Sequence, residues 1–296
     1  MPVRGPVLVF LASGTRGSAV VRAVERRGHA VKAFVRTRPA DSSRPSSSFV
    51  LGDLNDMASL VAAAQGCAHA VLQVPTGPEA VMVRQTGNAL DAFRRAGLRS
   101  VVLKLASASR PAPCDEPSFA ANAAVEALVR GAGLPFVIVR PTMYLDNLLK
   151  PSARTDIIER GTFSPPVAVG QRIAWTSADD CASAATLLLE QERYGEDHRI
   201  AGPESVDGEE LAARLTLGLG RPITYRAEPL DLFERDVEAA LGSGMGRRIA
   251  SKFRYLRDHP DDADRILAGS RDPVTLPGLK PTTIEAWARQ RREAFR

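Results

Sequence analysis

The stretch that most constrains this chain is residues 7–17, which read Val-Leu-Val-Phe-Leu-Ala-Ser-Gly-Thr-Arg-Gly. An apolar run leads into a turn with two spaced glycines, and a helical pattern follows. A strand, a glycine turn and a helix in this order form a phosphate cradle, because the helix N-terminus presents backbone N–H groups to the phosphates. We therefore predict a dinucleotide-binding site at Gly14, Thr15, Arg16 and Gly17.

One position departs from the three-glycine spacing of such turns. Glycine is expected at positions 11, 14 and 17, whereas this chain has Leu11, Gly14 and Gly17. The first glycine often needs a positive φ, and a leucine in that conformation costs roughly 1 kcal/mol or more. Three outcomes are open: a slightly shifted turn that still binds, weakened binding, or no binding.

Downstream of the turn, apolar runs alternate with helical patterns. The predicted strands are Val7–Leu11, Ala30–Val35, Phe49–Leu51, Ala70–Val74, Ser100–Ala106 and Phe136–Val139. The predicted helices are Ser18–Arg27, Asp56–Gln65, Glu79–Ala96 and Phe119–Val129, and residues 37–48 are predicted as a loop. This alternation implies right-handed crossovers. The fold class is therefore predicted as α/β, a doubly wound parallel sheet (Rossmann) with a small, mostly helical C-terminal lobe.

The periodicity weakens beyond residue 141. We predict a dinucleotide-binding core at residues 1–142 and a segment at 143–205 that covers the cleft and returns to the core. A small substrate-side lobe follows at residues 206–296. The cleft between core and lobe is the default position for a small-molecule substrate.

The composition is that of a globular protein, with 44% apolar and 25% charged residues. No uncharged apolar run approaches the roughly 18–20 residues that span a bilayer, and the N-terminus lacks a signal-peptide pattern. Cys67, Cys114 and Cys181 are scattered and lack metal-ligand spacing. We expect a cytoplasmic monomer or homodimer with no metal and no membrane partner.

The net charge of +5 and the pI near 9.4 raise the question of nucleic acid. The arginines are spread along the chain, with no basic run interleaved with aromatic residues. We therefore expect no nucleic-acid partner.

The residue at the end of the second strand of a dinucleotide fold contacts the adenosine ribose, and a carboxylate at this position favours NAD. This chain has Arg36 at that place and no acid before Asp41. A guanidinium pairs with a 2′-phosphate in bidentate fashion, and Arg16 and Arg38 can add to it. This pattern predicts NADP(H) as the cofactor. The alternative is that these arginines are solvated side chains of a basic protein.

Two further segments are candidates for cofactor contacts. Asp53 and Leu54 follow the third strand, where the carboxylate can face the adenine amino group and the leucine its ring. The alternative for Asp53 is a helix N-terminal cap. Val74 and Pro75 end the fourth predicted strand and are expected along a cofactor ribose.

Several motifs occur in the order seen in NmrA-like proteins. They are Gly14-Thr15-Arg16-Gly17, Gly28-His29-Ala30-Val31, Arg36, Gly52-Asp53-Leu54, Gly133-Leu134-Pro135, Arg140-Pro141 and Asp146-Asn147. Towards the C-terminus, Leu219-Gly220-Arg221-Pro222, Pro281-Thr282-Thr283 and Trp287 are similar as well. The chain thus resembles the NmrA-like family, atypical members of the short-chain dehydrogenase/reductase superfamily. The resemblance implies a Rossmann fold, a preference for NADP, and a role as a reductase or as a cofactor-sensing regulator.

The catalytic pair of ordinary short-chain dehydrogenases is missing from its expected helix. Those enzymes carry a Tyr and, four residues later, a Lys that lowers the phenol pKa. Alignment of the motifs places Ser118 and Asn122 at these positions. An aliphatic hydroxyl is a far weaker acid than a phenol, and an amide carries no charge.

Two other residues are the candidates for proton transfer. Lys104 lies near the carboxyl end of the fifth strand, where ligands bind in such sheets. Tyr144 follows Arg140-Pro141 at the end of the sixth strand and faces the same cleft. The alternatives are a lysine that snorkels or pairs with a carboxylate, and a tyrosine that packs between lobes.

Three functions follow from these patterns. The first is an NADPH-binding oxidoreductase that reduces a small apolar or aromatic carbonyl or activated double bond without the usual Tyr/Lys dyad. The second is a non-catalytic NADP(H)-sensing regulator. The third is a cofactor-independent lyase, cyclase or isomerase, which Leu11 and Asn122 would both suit.

Overall fold

The structure is a computed structural model and describes residues 5–39, 48–110, 114–269 and 276–296. Its centre is a parallel sheet of seven strands. These are β1 (Val7–Val9), β2 (Val31–Val35), β3 (Phe49–Leu51), β4 (His69–Leu72), β5 (Ser100–Lys104), β6 (Phe136–Pro141) and β10 (Asp197–Ile200). The short strands β7 (Met143–Tyr144), β8 (Thr162–Phe163), β9 (Trp175–Thr176) and β11 (Thr224–Tyr225) form two small parallel pairs outside it.

The strand order is β10-β6-β5-β4-β1-β2-β3. The chain winds outward from β1 to β3, then returns to place β4 on the other side of β1 and winds outward again. The predicted doubly wound parallel sheet is confirmed. In such sheets ligands bind at the carboxyl ends of the strands where the order reverses, here between β1 and β4.

Helices cover both faces of the sheet. The helices are α1 (Thr15–Arg26), α2 (Met57–Ala64), α3 (Glu79–Ala96), α4 (Pro117–Arg130), α5 (Pro151–Arg160), α6 (Ala178–Glu190), α7 (Gly208–Leu219), α8 (Leu230–Leu241), α9 (Met245–Asp258), α10 (Pro260–Leu267) and α11 (Ile284–Gln290). Two 3-10 helices span Leu145–Leu149 and Arg292–Phe295. None of the helices in the described ranges has the length and apolar character needed to cross a bilayer.

Three apolar clusters form the core. One joins α1 and α6 to one face of the sheet, and a second joins α2, α3 and α4 to the other face. The third lies under α5, α7 and the C-terminal helices. The separate third cluster agrees with a C-terminal lobe, while the domain boundaries at residues 142 and 205 remain a prediction.

Some predicted boundaries were wrong. Helix α1 begins at Thr15 and not Ser18, because Gly14 with its extended backbone already serves as the N-cap. Strands β4 and β5 end at Leu72 and Lys104, two residues before their predicted ends, where the chain leaves the hydrogen-bonded ladder. The edge strand β10 was missed because its sequence, Asp-His-Arg-Ile, is mostly polar.

Candidate functional site

The turn after β1 forms despite its leucine. Leu11 has a φ of 51°, the left-handed conformation in which glycine is usually found. The N–H of Gly14 donates a 3.0 Å hydrogen bond to the Leu11 carbonyl, which closes the turn. Leu11 therefore replaces the glycine in the turn at the expected cost in backbone strain.

The two glycines that remain have different roles. A Cβ on Gly17 would lie 2.0 Å from the Leu11 carbonyl oxygen, so glycine is required there for α1 to pack against the turn. A Cβ on Gly14 would meet only the Leu11 carbonyl oxygen, at 3.5 Å. The protein itself thus has room for a side chain at Gly14, and glycine keeps this surface open for close approach by a ligand.

The N-terminus of α1 suits an anion. No side chain caps it, and its first turn contains no acidic residue. Because the first N–H groups of a helix have no partner within the helix and the helix dipole favours negative charge, this end can bind phosphate. The residues present therefore fit the pyrophosphate of a dinucleotide.

Arg36 lies exposed just beyond the end of β2, with no ion pair among the described residues. Arg16 does not join it. The Arg16 guanidinium lies 4.7 Å from the centre of the Tyr144 ring, and Tyr144 contacts β5. Since β5 lies three strands from β2, roughly 14 Å away, Arg16 cannot share a ligand atom with Arg36 in this conformation. In this conformation the Arg16 side chain lies on Tyr144, and its support of a 2′-phosphate stays a prediction.

The segment after β3 contains two candidates for the adenine site, of which Asp53 is partly exposed and Leu54 is buried. The Asp53 carboxylate accepts hydrogen bonds from the backbone and side-chain N–H groups of Asn55, at 2.7 and 2.8 Å. Asp56 and not Asp53 caps α2. Leu54 is buried in the core against the second face of the sheet. Its contact with adenine remains a prediction, although its burial favours a packing role.

Val74 and Pro75 follow β4. Val74 is buried in the core and Pro75 is exposed. Their expected position along a cofactor ribose remains a prediction.

The structure brings the two candidate proton-transfer residues together. Lys104 is the last residue of β5, and its Nζ donates hydrogen bonds to Tyr144 Oη at 3.0 Å and to Gln73 Oε1 at 3.3 Å. The Tyr144 hydroxyl donates to the Leu105 carbonyl at 3.3 Å. Lys104 is 1% exposed and Tyr144 is 2% exposed.

Burial gives this pair unusual acid–base properties. Desolvation lowers the pKa of Lys104 to about 8, and no carboxylate in the described part of the chain pairs with its ammonium. Desolvation also raises the pKa of the Tyr144 phenol well above its usual value. Near neutral pH the phenol therefore keeps its proton, and the lysine is mostly protonated but loses its proton as the pH rises through about 8. A protonated phenol held by a lysine of this kind can act as a general acid.

Two neighbours of the pair were missed by the sequence analysis. Gln73 Nε2 donates to the Phe10 carbonyl at 3.1 Å, which holds the Gln73 side chain in place beneath Lys104. Cys181, in the first turn of α6, is fully buried and close enough to Tyr144 to affect its pKa. The signal for Gln73 was available, because a glutamine within an apolar strand pattern needs a polar partner.

The positions of the missing dyad lie on α4. Asn122 is buried, and its Nδ2 has no hydrogen-bond partner among the described residues. Ser118 lies in the first turn of the same helix. Neither forms a hydrogen bond with Lys104 or Tyr144 within the described ranges, so the Lys104–Tyr144 pair is independent of them.

A polar cleft of about 530 Å³ opens beside the start of α1. It is lined by Ser13, Thr15, Ser18, Arg22, Arg26, Asp146, Leu149, Asp179, Gln290 and Arg291. The cleft includes Thr15 of the predicted cradle, whereas Arg36, Lys104 and Tyr144 lie outside it. No group of three or more metal-ligating side chains occurs in the ranges that the structure describes.

The glycine turn, the doubly wound sheet and the family motifs agree with a comparison against known families. The family model described as the NmrA-like family matches residues 4–288. The chain belongs to the NmrA-like family. The predicted resemblance is confirmed over nearly the whole length of the chain.

Relatives of this NmrA-like protein include both enzymes and a regulator. An NAD(P)H azoreductase of Xenophilus azovorans is 28% identical over 98% of this chain and 99% of that protein. A triphenylmethane reductase of Citrobacter sp., solved in complex with NADP(H), covers 97% of this chain and 99% of that chain with a TM-score of 0.73 and 18% identity. NmrA, a negative transcriptional regulator solved in complex with NADP, covers 97% of this chain and 94% of that chain with a TM-score of 0.67 and 18% identity. At these identities the two solved structures establish the fold.

Proposed function

We propose that this NmrA-like protein is an NADP(H)-dependent oxidoreductase that reduces a small apolar or aromatic carbonyl or activated double bond. The observation that carries the proposal is the 3.0 Å hydrogen bond between Lys104 and Tyr144 at the carboxyl end of β5. This pair takes the place of the Tyr/Lys dyad that α4 lacks. The full-length relative named as an NAD(P)H azoreductase supports the same reaction class.

The cofactor would be held along the carboxyl edge of the sheet. Backbone N–H groups of the turn from Gly14 to Gly17 would bind its pyrophosphate, and Arg36 would pair with the 2′-phosphate. Asp53 and Leu54 are the candidates for the adenine, and Val74 and Pro75 for a ribose. When bound, NADPH supplies a hydride to the substrate.

The protein's own contribution is a proton. The Tyr144 O–H bond breaks as its proton moves to the substrate oxygen or nitrogen, and the phenolate that remains is stabilised by the Lys104 ammonium. Lys104 then returns a proton to the phenolate and is itself reprotonated from solvent. Gln73 keeps the Lys104 Nζ within reach of Tyr144 through this exchange.

Access to the phenol requires a movement. Tyr144 is almost fully buried, and the Arg16 guanidinium covers its ring. Arg16 is itself half-buried, so its side chain has room to turn outward. A substrate therefore reaches Tyr144 only after the Arg16 side chain leaves the ring.

The direct test is Tyr144→Phe, with NADPH oxidation followed in the presence of 1,4-naphthoquinone or an aromatic azo compound. We expect kcat to fall by about 10²-fold or more, as for loss of a general acid. NADPH affinity, measured by cofactor fluorescence, should not change, because the phenol lies apart from the phosphate cradle. Unchanged kcat in this variant would rule out the assigned role.

The buried position of Tyr144 favours a second candidate, an NADP(H)-sensing regulator without turnover. The relationship to the regulator NmrA is in line with it. Tight binding of NADPH together with no reduction of any quinone or azo compound by the unmodified protein would support this alternative.

A further inference from the structure

A second cavity lies in the C-terminal lobe and shares no lining residue with the cleft beside α1. It has a volume of about 320 Å³ and is lined by Leu219, Gly220, Arg221, Arg292, Phe295 and Arg296. Half of these residues are arginines, and the others carry no charge. The cavity lies between the C-terminal end of α7 and the 3-10 helix Arg292–Phe295, which contribute neither to the cofactor cradle nor to the Lys104–Tyr144 pair.

Two of the arginines are held in place by backbone carbonyls. Arg221 Nη2 donates a 2.7 Å hydrogen bond to the carbonyl of Ile158, in the last turn of α5. Arg292 Nε and Nη2 donate to the Gly218 carbonyl at 3.3 and 2.9 Å. Both side chains are half-buried, and neither forms an ion pair among the described residues. Because a guanidinium has five N–H donors, each of them retains N–H groups for a ligand.

The third arginine is the member of this group that contacts a carboxylate within the described part of the chain. Arg296 is exposed, and its Nη1 lies 2.7 Å from Oε1 of Glu293. Positive charge is therefore in excess around the cavity, even when a terminal carboxylate at Arg296 is counted. A cavity lined by one sign of charge raises the local concentration of ligands with the opposite charge.

A structural role explains only part of this arrangement. Arginine side chains stabilise helix C-termini, because the last carbonyls of a helix carry partial negative charge. Arg292 has this role at α7 and Arg221 at α5, each through the hydrogen bonds to its carbonyl. Capping accounts for how these two guanidiniums are anchored. It does not account for Arg296, nor for the open space that all of them share.

The uncharged residues of the cavity give it apolar walls and an open approach. Leu219 and Phe295 are 5% and 2% exposed. Gly220 is exposed and has a φ of 73°, a conformation that suits glycine. A Cβ at Gly220 would lie 3.4 Å from Arg292 Nη2, so glycine leaves the approach to that guanidinium open. A small anion with an apolar part therefore matches these walls.

We propose that this cavity binds a phosphate group, either free or carried by a small phosphorylated molecule. Guanidiniums bind phosphate and carboxylate groups alike, but a phosphate monoester offers three terminal oxygens and a charge of about −2, which several arginines match better than a single carboxylate does. The volume lies near the lower end of the roughly 300–1,000 Å³ of ligand cavities, which favours a small molecule over a dinucleotide. The site is separate from the proposed cofactor site and does not depend on the oxidoreductase assignment.

The experiment titrates inorganic phosphate and phenyl phosphate into the full chain by calorimetry in a phosphate-free buffer. We expect saturable binding with a dissociation constant of about 1 mM or lower. Because the cradle at α1 also suits phosphate, variants locate the site. Arg221→Gln combined with Arg296→Gln should weaken binding by about 10-fold or more, while Arg292 remains to cap α7.

The matched control is Arg235→Gln combined with Arg289→Gln. It removes two exposed arginines that line neither cavity and should leave phosphate affinity unchanged. Thermal unfolding without phosphate checks that each variant folds. Arg296→Gln alone changes an exposed residue and should weaken binding by about 3-fold, so it tests the site even where the double variant does not fold.

The two probes distinguish the sources of the phosphate group. Tighter binding of phenyl phosphate would indicate a phosphorylated molecule that also contacts Leu219 and Phe295, and equal or weaker binding would indicate free phosphate. Absence of saturable binding would overturn the inference. So would a folded double variant that binds both probes as tightly as the unmodified protein, because the phosphate would then occupy another site such as the cradle. Binding of a single-stranded oligonucleotide but of neither probe would overturn it as well, since the arginines would then form a nucleic-acid surface.

Discussion

The phosphate cradle and the Lys104–Tyr144 pair lie at the same edge of the sheet but are built in opposite ways. The cradle is open and consists of backbone groups: exposed Gly14 and Thr15, an uncapped helix and a glycine where a Cβ would clash. The pair is closed and consists of buried side chains on β5 and β7, with a further hydrogen bond to Gln73 just after β4. If both regions have their proposed roles, the cradle can bind a ligand as it stands, whereas the pair must become exposed before it can act. Cofactor binding and turnover should therefore be separable by mutation.

The largest difference between the effects on turnover and on cofactor binding is expected for Lys104→Met. This variant should lower kcat by about 10²-fold or more while NADPH affinity is unchanged, because the cradle does not use the ammonium. In the unmodified protein kcat should fall as pH rises through about 8, where the Lys104 ammonium loses its proton. Steady-state kinetics between pH 6 and pH 10 measures both effects, and a pH-independent kcat would contradict the role of Lys104.

The same substitution should stabilise the fold. The pKa of Lys104 is lowered in the folded state, so the unfolded state binds the extra proton and stability increases as pH rises from about 8 to the unfolded value of 10.5. Below pH 8 the burial cost is fully present, and Lys104→Met should remove up to about 3 kcal/mol of it. Urea unfolding at pH 7 provides the measurement. A less stable variant would mean that the hydrogen bonds of Lys104 outweigh its desolvation.

A buried histidine at the amino ends of the strands, away from the candidate site, tests whether a lowered pKa requires a functional site. His69 begins β4, is 3% exposed, and contacts Ser100 Oγ at 2.8 Å through Nδ1. Desolvation, assisted by the charge of Arg99, lowers its pKa to about 4 from 6.5.

Since the unfolded state takes up this proton first, stability should fall as pH decreases from 6.5 to about 4, by up to about 3 kcal/mol. His69→Gln should reduce this loss of stability at acidic pH, while kcat at pH 7 should be unchanged. Denaturant unfolding of both proteins at pH 7 and pH 4.5 measures the difference. Parallel pH dependence in the two proteins would be the contrary result.

The two glycines of the cradle should respond differently to alanine. Gly17→Ala places a Cβ against the Leu11 carbonyl and should destabilise the fold by about 2 kcal/mol through overpacking. Gly14→Ala should change stability by less than about 0.5 kcal/mol, because its Cβ has room. It should nevertheless weaken NADPH binding by narrowing the approach to the helix. Thermal unfolding and cofactor fluorescence distinguish them, and equal loss of stability would show that Gly14 is structural too.

The smallest effect is expected for Arg36→Ala. Loss of a charge-assisted contact to a 2′-phosphate should weaken NADPH binding by about 10-fold, or about 1.4 kcal/mol, and leave NADH binding unchanged. Fluorescence titration with both coenzymes measures this difference. Equal weakening of the two would remove the argument for phosphate recognition by Arg36.

The backbone parts of the site were predictable and the side-chain contacts were only partly so. Spaced glycines after an apolar run are determined by the local backbone geometry. The turn at Gly14 and Gly17 and the start of a doubly wound sheet could therefore be predicted from residues close together in the sequence. Lys104 and Tyr144 were each expected at the cleft from the ends of their strands, whereas the structure buries both outside the cleft beside α1. Their hydrogen bond depends on how β5 and the short β7 come together, which no local pattern encodes.

The contacts of Arg16 and the edge strand β10 show the limits of local patterns. Arg16 was expected to support a phosphate because it lies in the cradle, but its long side chain reaches the Tyr144 ring instead. The strand Asp197–Ile200 is mostly polar, and its pairing with β6 places it in the sheet. In both cases the tertiary neighbours decide the outcome.

Arg16 has a position that links the two regions. Its backbone belongs to the first turn of α1, and its guanidinium covers the ring of Tyr144. A coenzyme on that turn would lie against the same residue that covers the phenol. Occupancy of the turn and exposure of the Tyr144 hydroxyl are therefore expected to depend on each other through Arg16.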